Sequence, residues 1–260
     1  MSEDTRTRIA VLSDIHGNLE ALHAVLADLD ALSPAQPAVS QVINLGDMVG
    51  YGPEPDACVQ LLRERGIQSI LGNHEHGLLE AQARGWFNPQ ARKALDRTRT
   101  LLSDDALMYF RTLARTCEVE GALFVHGCPP GLVSKYLYEL DDHALRETFG
   151  LYENRLCFAG HTHELERISL FGEAQDRKLE RKELGKGSVS LDPRARHIIN
   201  AGAVGQPRDG NNKAKYLLWE PASGQKPDRV EVRFVPYDIA KTAAGIIEKG
   251  LPTVYADRLW

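Results

Sequence analysis

The first 72 residues alternate between two hydrophobic periods, and this alternation confines the chain to few folds. Residues 8–13 carry an unbroken β-rich apolar run that ends in polar residues, the pattern of a strand buried on both faces. Asn18 can cap a following helix whose Leu19, Leu22, Leu26 and Leu29 share one face. Residues 41–45 read as a second buried strand, 57–65 as a helix stopped by Gly66, and 67–71 as a third strand. A β-α-β-α-β order predicts a parallel sheet with helices packed on it.

The rest of the chain predicts a second sheet. Asn88-Pro89 opens a helix with Ala91, Ala94, Leu95, Thr98 and Leu102 at helical spacing, and Ser103 can cap another bearing Leu107, Phe110 and Leu113. Residues 117–120 and 122–125 form a hairpin pattern around Gly121. Strand-like runs follow at 156–159, 166–171, 188–191, 197–200, 216–220 and 229–235, then a final helix at 239–249. This order suits two sheets packed face to face with helices outside. The Pro-containing stretches 33–37 and 221–227 are too short to be domain linkers, so one domain is expected over residues 1–260. The charged stretch 173–186 reads as a solvent-exposed hairpin.

Composition removes several function classes. With 43% hydrophobic and 26% charged residues, the chain falls outside the disordered, collagenous and coiled-coil ranges. A net charge of −5 argues against broad electrostatic binding to nucleic acid. The four cysteines form no C-x-x-C pair, which fits reduced thiols in a cytoplasmic protein. The apolar run at 9–12 is too short for a signal-peptide core, and no window approaches a membrane span.

Polar residues with metal-binding capacity sit where the strands should end. They are Ser13-Asp14-Ile15-His16-Gly17-Asn18, Gly46-Asp47, Gly72-Asn73-His74-Glu75, His126-Gly127 and Gly160-His161-Thr162-His163. The carboxyl ends of parallel strands converge on one crevice, where ligands bind. Each cluster alone has a plainer reading: Asp14 or Asp47 as a cap, Asn73-His74 as turn residues, His126 as a satisfied core histidine. His161-x-His163, if on a strand, would present both imidazoles on one face. Five such clusters in five successive strand ends are hard to explain as independent caps. Their donors are nitrogen and oxygen without thiolate, which suits Mn, Fe, Zn, Co or Ni. Eight candidate groups exceed the needs of one ion and suit two divalent ions sharing a carboxylate.

These blocks, in this order, resemble the calcineurin-like metallophosphoesterases over residues 8–220. The blocks Ser13–Asn18, Gly50-Tyr51-Gly52-Pro53 and Gly205-Gln206-Pro207-Arg208-Asp209-Gly210 resemble a branch of small bacterial and archaeal phosphodiesterase-like members. The resemblance implies a four-layer α/β/β/α sandwich of two mixed sheets. It implies Asp14, His16 and His163 on one metal, Asn73, His126 and His161 on a second, and Asp47 bridging. It gives His74 the part of a non-ligand histidine beside the phosphate, acting as proton donor to the leaving group. Water activated between the cations would attack phosphorus directly, without a phosphoenzyme.

Asn18 and Arg208 are candidate phosphate contacts, Arg208 being weighed against a plain surface-loop role. Cys128 is read as packing. Arg84, Arg92, Lys93, Arg97 and Arg99 read as a solvated helix face before a substrate funnel. Protein Ser/Thr phosphatases continue after the bridging aspartate into an Asp-Arg pair, where this chain has Gly50 and Tyr51. That departure favours small phosphodiester or nucleotide-type substrates. A phosphomonoesterase or protein phosphatase, and a non-catalytic metal-bound scaffold, are the alternatives. Two bound divalent cations would also cancel most of the chain's net charge of −5, so acidity does not disfavour a phosphate ester in the cleft.

Overall fold

The computed structural model describes residues 8–32, 37–172 and 177–260. In chain order its first half comprises β1 (Arg8–Leu12), α1 (Leu19–Asp30), β2 (Val39–Asn44), α2 (Pro55–Glu64), β3 (Gln68–Ser69), α3 (Asn73–Leu79), α4 (Ala81–Arg84), α5 (Pro89–Thr100), α6 (Asp104–Phe110), β4 (Thr116–Val119) and β5 (Ala122–Val125). A short 3-10 turn at Leu137–Glu139 leads into α7 (Asp142–Phe149). Then come β6 (Leu156–Ala159), β7 (Leu165–Phe171), β8 (Lys178–Glu183), β9 (Gly187–Ser190), β10 (Ala195–Ala201), β11 (Ala214–Glu220), β12 (Arg229–Val235), α8 (Ile239–Glu248) and α9 (Val254–Asp257).

Two six-stranded mixed sheets result, ordered β3-β2-β1-β11-β12-β9 and β4-β5-β6-β10-β7-β8. The first holds the expected parallel trio β1, β2 and β3, with β11 antiparallel against β1. The second repeats the plan: β5, β6 and β10 run parallel, and β7 lies antiparallel on β10.

Period-2 burial shows why there are four layers. Ile9 and Val11 of β1 join Phe124 of β5, Phe158 of β6 and Trp219 of β11 in one apolar cluster between the sheets. Their neighbours Ala10 and Leu12 face the opposite way, onto Leu22, Val25 and Leu26 of α1 and Cys58, Val59 and Leu62 of α2. On the far side, Val125, Cys157 and Ile198 pack on Leu145 and Phe149 of α7. Strands covered on both faces need apolar residues at every position, which is why these runs do not alternate in sequence.

Several boundaries differ from expectation. Residues 67–71 pair as a strand over Gln68–Ser69; beyond it Ile70 N–H still bonds the Asn44 carbonyl (3.0 Å), but Leu71 N–H turns to that of Ala114 (2.8 Å). The stretch 173–186 contributes β8, paired antiparallel along β7, while 173–176 lie outside the described residues. Of the expected loop 33–37, residues 33–36 likewise lie outside them. Asn18, Asn88 and Ser103 cap as expected, accepting from the N–H groups of Ala21, Ala91 and Ala106.

Candidate metal centre

Seven expected ligands leave the ends of β1, β2, β3, β5 and β6, and main-chain bonds fasten their loops together. Asp14 N–H donates to the Gly46 carbonyl (3.2 Å), His16 N–H to that of Asp47 (2.9 Å), and Gly160 N–H to that of His126 (2.7 Å). Asp14, His16, Asp47, His161 and His163 all have left-handed backbones, with φ of 55°, 52°, 53°, 69° and 63°. Among the described residues only Glu120 is a further non-glycine of this kind. Side chains rarely adopt this region, and strain of this type persists where surrounding structure enforces it.

Two buried trios of expected ligands form around these turns, and a third, His16, Asp47 and His74, overlaps them. Asp14, His16 and His163 make one; Asp47, His126 and His161 make the other. Asp47 also reaches toward the first, with Oδ2 at 3.7 Å from His16 Nε2 and 3.4 Å from His126 Nε2. Asn73 Oδ1 lies 3.0 Å from His126 Nε2. His161 and His163 do not share a strand face. They lie in the loop beyond β6, where two left-handed residues send the imidazoles into different trios.

The donors are oriented for cations. His16, His126 and His163 place Nδ1 against the carbonyls of Val49 (3.1 Å), Leu45 (2.9 Å) and Gln206 (2.6 Å). A carbonyl only accepts, so Nδ1 carries a hydrogen and Nε2 is the nitrogen left facing inward, able to offer its lone pair to a cation once it holds no proton. Asp14 Oδ2 accepts from Ser13 Oγ (2.6 Å) and His161 N–H (2.9 Å), which leaves Oδ1 buried without a hydrogen-bond partner. His161 Nε2 is likewise buried, and neither atom has a partner among the described residues. Orphaned acceptors gathered in one buried place fit divalent cations.

Charge coupling is correspondingly strong. Burial opposes ionisation of Asp47, but His126, His74 and His16 hold its carboxyl well below the usual range. Burial also disfavours the His126 cation, yet Asp47 overrides it and pushes the imidazole up to about 9. Desolvation carries His161 and His163 down to about 3 and about 4.

Glu75 supplies a support that adjacency in sequence did not show. Its buried carboxyl group accepts from the N–H groups of Asp47 (2.9 Å), Val49 (3.2 Å) and Gly72 (3.0 Å), tying the β2 loop to the start of α3. Burial, then the charge of Asp47, raises its pKa to about 8. Glu164, next to His163 in sequence, makes a local turn, its N–H bonded to Thr162 Oγ1 at 3.2 Å.

His74 stands over this centre, its Nε2 at 3.9 Å from Asp47 Oδ2. The rings of Tyr51 and Phe87 meet it edge-on, at 4.7 and 4.9 Å between centroids. Its Nδ1 is buried and has no partner among the described residues. Gly50, with φ 141°, lies directly against that nitrogen, and a Cβ there would collide with the imidazole of His74. No carboxylate can therefore occupy position 50 in this arrangement.

The two candidate phosphate contacts separate. Asn18 is buried and engaged inside the protein: Oδ1 accepts from Ala21 N–H (3.1 Å) and Thr242 Oγ1 (3.0 Å), and Nδ2 donates to the Gly205 carbonyl (2.9 Å). It holds α1, α8 and the 205 loop together. Arg208 instead lines an open cleft of about 780 Å³ whose wall includes Asn73 and His161. Buried Lys215 anchors the Arg208 loop by donating to Asp209 Oδ1 (2.6 Å) and to the Asn211 carbonyl. Arg84 and Arg99 pair with Asp96 and Asp104 on the helical surface, and Arg97 binds the Lys249 carbonyl. Cys128 packs in the core beneath α7.

The sequence profile of calcineurin-like phosphoesterases matches residues 7–165. The chain belongs to that family. This calcineurin-like phosphoesterase is 33% identical over 262 residues to an uncharacterized protein of Methanocaldococcus jannaschii, covering 98% of each chain. The crystal structure of a metallophosphoesterase from Sphaerobacter thermophilus is 34% identical, with a TM-score of 0.78 over 97% of this chain and 98% of that one. A serine/threonine-protein phosphatase of Salmonella typhimurium is 34% identical over 73 residues, 28% of this chain and 32% of that protein. The phosphoesterase is a metal-dependent hydrolase of phosphate esters, and its buried Asp and His clusters form a divalent-metal site. Among the described residues no helix is long and apolar enough to cross a membrane.

Proposed function

We propose that this phosphoesterase hydrolyses phosphodiesters or nucleotide-type esters, using two divalent ions. One ion would take Asp14, His16 and His163, the other Asn73, His126 and His161, with Asp47 between them; manganese suits these donors, and Fe, Zn, Ni or Co are compatible. Bound there, the ions would supply Lewis acidity and a water acidic enough to serve as nucleophile near neutral pH.

The chain's own side chains would do the rest. Asp47 and Asp14 hold negative charge in place, and the carbonyl-bound imidazoles keep their Nε2 atoms aimed inward. His74 would hand a proton to the leaving oxygen. Burial keeps its imidazole neutral, well below the usual histidine value, while Asp47 pulls the other way. A phosphate arriving beside it adds negative charge and raises its proton affinity when the proton is needed. Arg208, at the cleft wall, would hold a non-bridging oxygen.

Gly50 carries the preference for diesters. It occupies the place where protein phosphatases resembling this family hold an aspartate, and it leaves no room for one against His74. The local likeness to the Salmonella serine/threonine phosphatase favours a second reading, a phosphomonoesterase active on phosphoproteins. After metal analysis, bis(p-nitrophenyl) phosphate, p-nitrophenyl phosphate and a phosphoserine peptide separate them. Faster turnover of the diester supports the first reading; preference for the monoester or peptide replaces it with the second.

A further inference from the structure

Two aromatic ladders climb from the metal-binding residues toward the mouth of the cleft. On one side Tyr136 stacks on His161, with centroids 3.8 Å apart and planes 12° from parallel. Tyr138 continues that stack at 4.7 Å and 16°. On the other side Tyr51 lies against His16 at 4.4 Å, and Tyr255 stacks on Tyr51 at 4.2 Å and 21°. Arg258 caps Tyr255, its guanidinium 5.5 Å from the ring centroid.

The first ladder ends in an open rung, whereas Tyr255 at the end of the second is buried. Tyr138 is 55% exposed, and the same cleft is lined by Trp86 at 67% and Trp260 at 71% exposure. The chain's third tryptophan, Trp219, is 1% exposed in the core. Large aromatic surface left in water is unfavourable unless something covers it. These rings share the cleft with two arginines, Arg208 and Arg258. Flat surface and cationic charge beside a metal centre match a ligand that is planar at one end and anionic at the other.

We propose that the esters this cleft accepts bear a planar aromatic group of nucleobase type, stacked among Tyr138, Trp86 and Trp260 while their phosphate faces the metal-binding residues. This rests on the phosphoesterase reading above and narrows its substrate class. A simple alkyl phosphate or a sugar phosphate would reach the same ligands but leave the rim aromatics uncovered. Base–aromatic stacking is strong enough to discriminate by about tenfold per ring.

Tryptophan emission tests this separately from catalysis. Two of the three tryptophans line the cleft, so a stacked base should quench the full-length, metal-loaded protein. The probe is the adenosine 5′-phosphonate in which CH2 replaces the ester oxygen, and ribose 5-phosphate is the ring-free control. Saturable quenching by the first alone, reduced in Trp86→Leu and in Trp260→Leu, is the expected result. Equal response to both probes, or to neither, overturns the proposal. In kinetics, the p-nitrophenyl ester of thymidine 5′-phosphate should exceed methyl p-nitrophenyl phosphate in kcat/KM by about tenfold or more. That ratio should fall in Trp86→Leu. Hydrolysis of both esters at equal efficiency removes the stacking proposal and leaves the phosphoesterase reading intact. Quenching by the phosphonate without hydrolysis of any ester does the reverse.

Discussion

The Nε2 atoms of His16 and His163 stand 3.0 Å apart, although both rings already donate Nδ1–H to backbone carbonyls. Where Nδ1 carries a ring's only hydrogen, its Nε2 offers the other ring just a lone pair. A cation between or beside them relieves that repulsion. Metal addition to chelator-treated protein should therefore raise Tm, increasingly with concentration. At a hundredfold excess over Kd the gain is about 2.7 kcal/mol. A Tm indifferent to Mn, Zn and Ni would mean the trios hold no such ion.

Metal uptake should release protons at neutral pH. In the metal-free site Asp47 pushes His126 up to about 9, so its imidazole is protonated at pH 7. Binding a cation requires the neutral ring, so affinity should climb as pH rises toward about 9 and flatten above it. Glu75, raised to about 8, adds to the release if the cations restore its ionisation. Calorimetry at pH 7 in buffers of different ionisation enthalpy reads this directly. Identical apparent enthalpies would contradict it.

Gly50→Ala should cost rate while sparing metal content. The added methyl would run into His74 and demand a φ that alanine resists. Displacing a reacting group by about 1 Å can lower turnover by about 10²-fold. His74→Ala should lose about 10²–10⁴-fold through the missing proton donor. Metal analysis and kcat together check both variants; normal kcat in Gly50→Ala would show that His74 has slack the structure does not contain.

Asn18→Ala and Arg208→Ala should fail in opposite ways. The first removes a helix cap and bonds to Gly205 and Thr242, which should cost about 1–2 kcal/mol in denaturant unfolding. The second leaves the core intact and should raise KM for a phosphate ester by about tenfold, as expected for loss of a charge-assisted bond. The reverse pattern would return Asn18 to the substrate and Arg208 to the surface.

Much of the candidate site was legible because the residues gathered in it follow strands whose apolar runs are unmistakable. Asp14, Asp47, Asn73, His126 and His161 stand within four residues of predicted strand ends, and parallel strands must bring such ends together. What period alone could not reveal was backbone hand. His161 and His163 read as one face because a strand was assumed, whereas their left-handed turns depend on main-chain bonds from distant loops. Glu75 was visible only as a neighbour of His74; its three backbone bonds exist only in three dimensions. Tyr136 and Tyr138 lie in a segment without helical or strand periodicity, and α9, which carries Tyr255, is a four-residue helix that no pattern announces.

The trios and the adjoining Asn73 come from both sheets. Asp14, His16, Asp47 and Asn73 follow strands of the first, while His126, His161 and His163 follow strands of the second. A cation held there is a rivet through the seam between them. Sliding one sheet past the other by even a fraction of a side chain would break coordination, so the loaded protein should resist shear along its own midplane. Rigidity that a larger apolar interface would otherwise have to supply is concentrated at one end of the sandwich, where the chemistry most needs fixed positions.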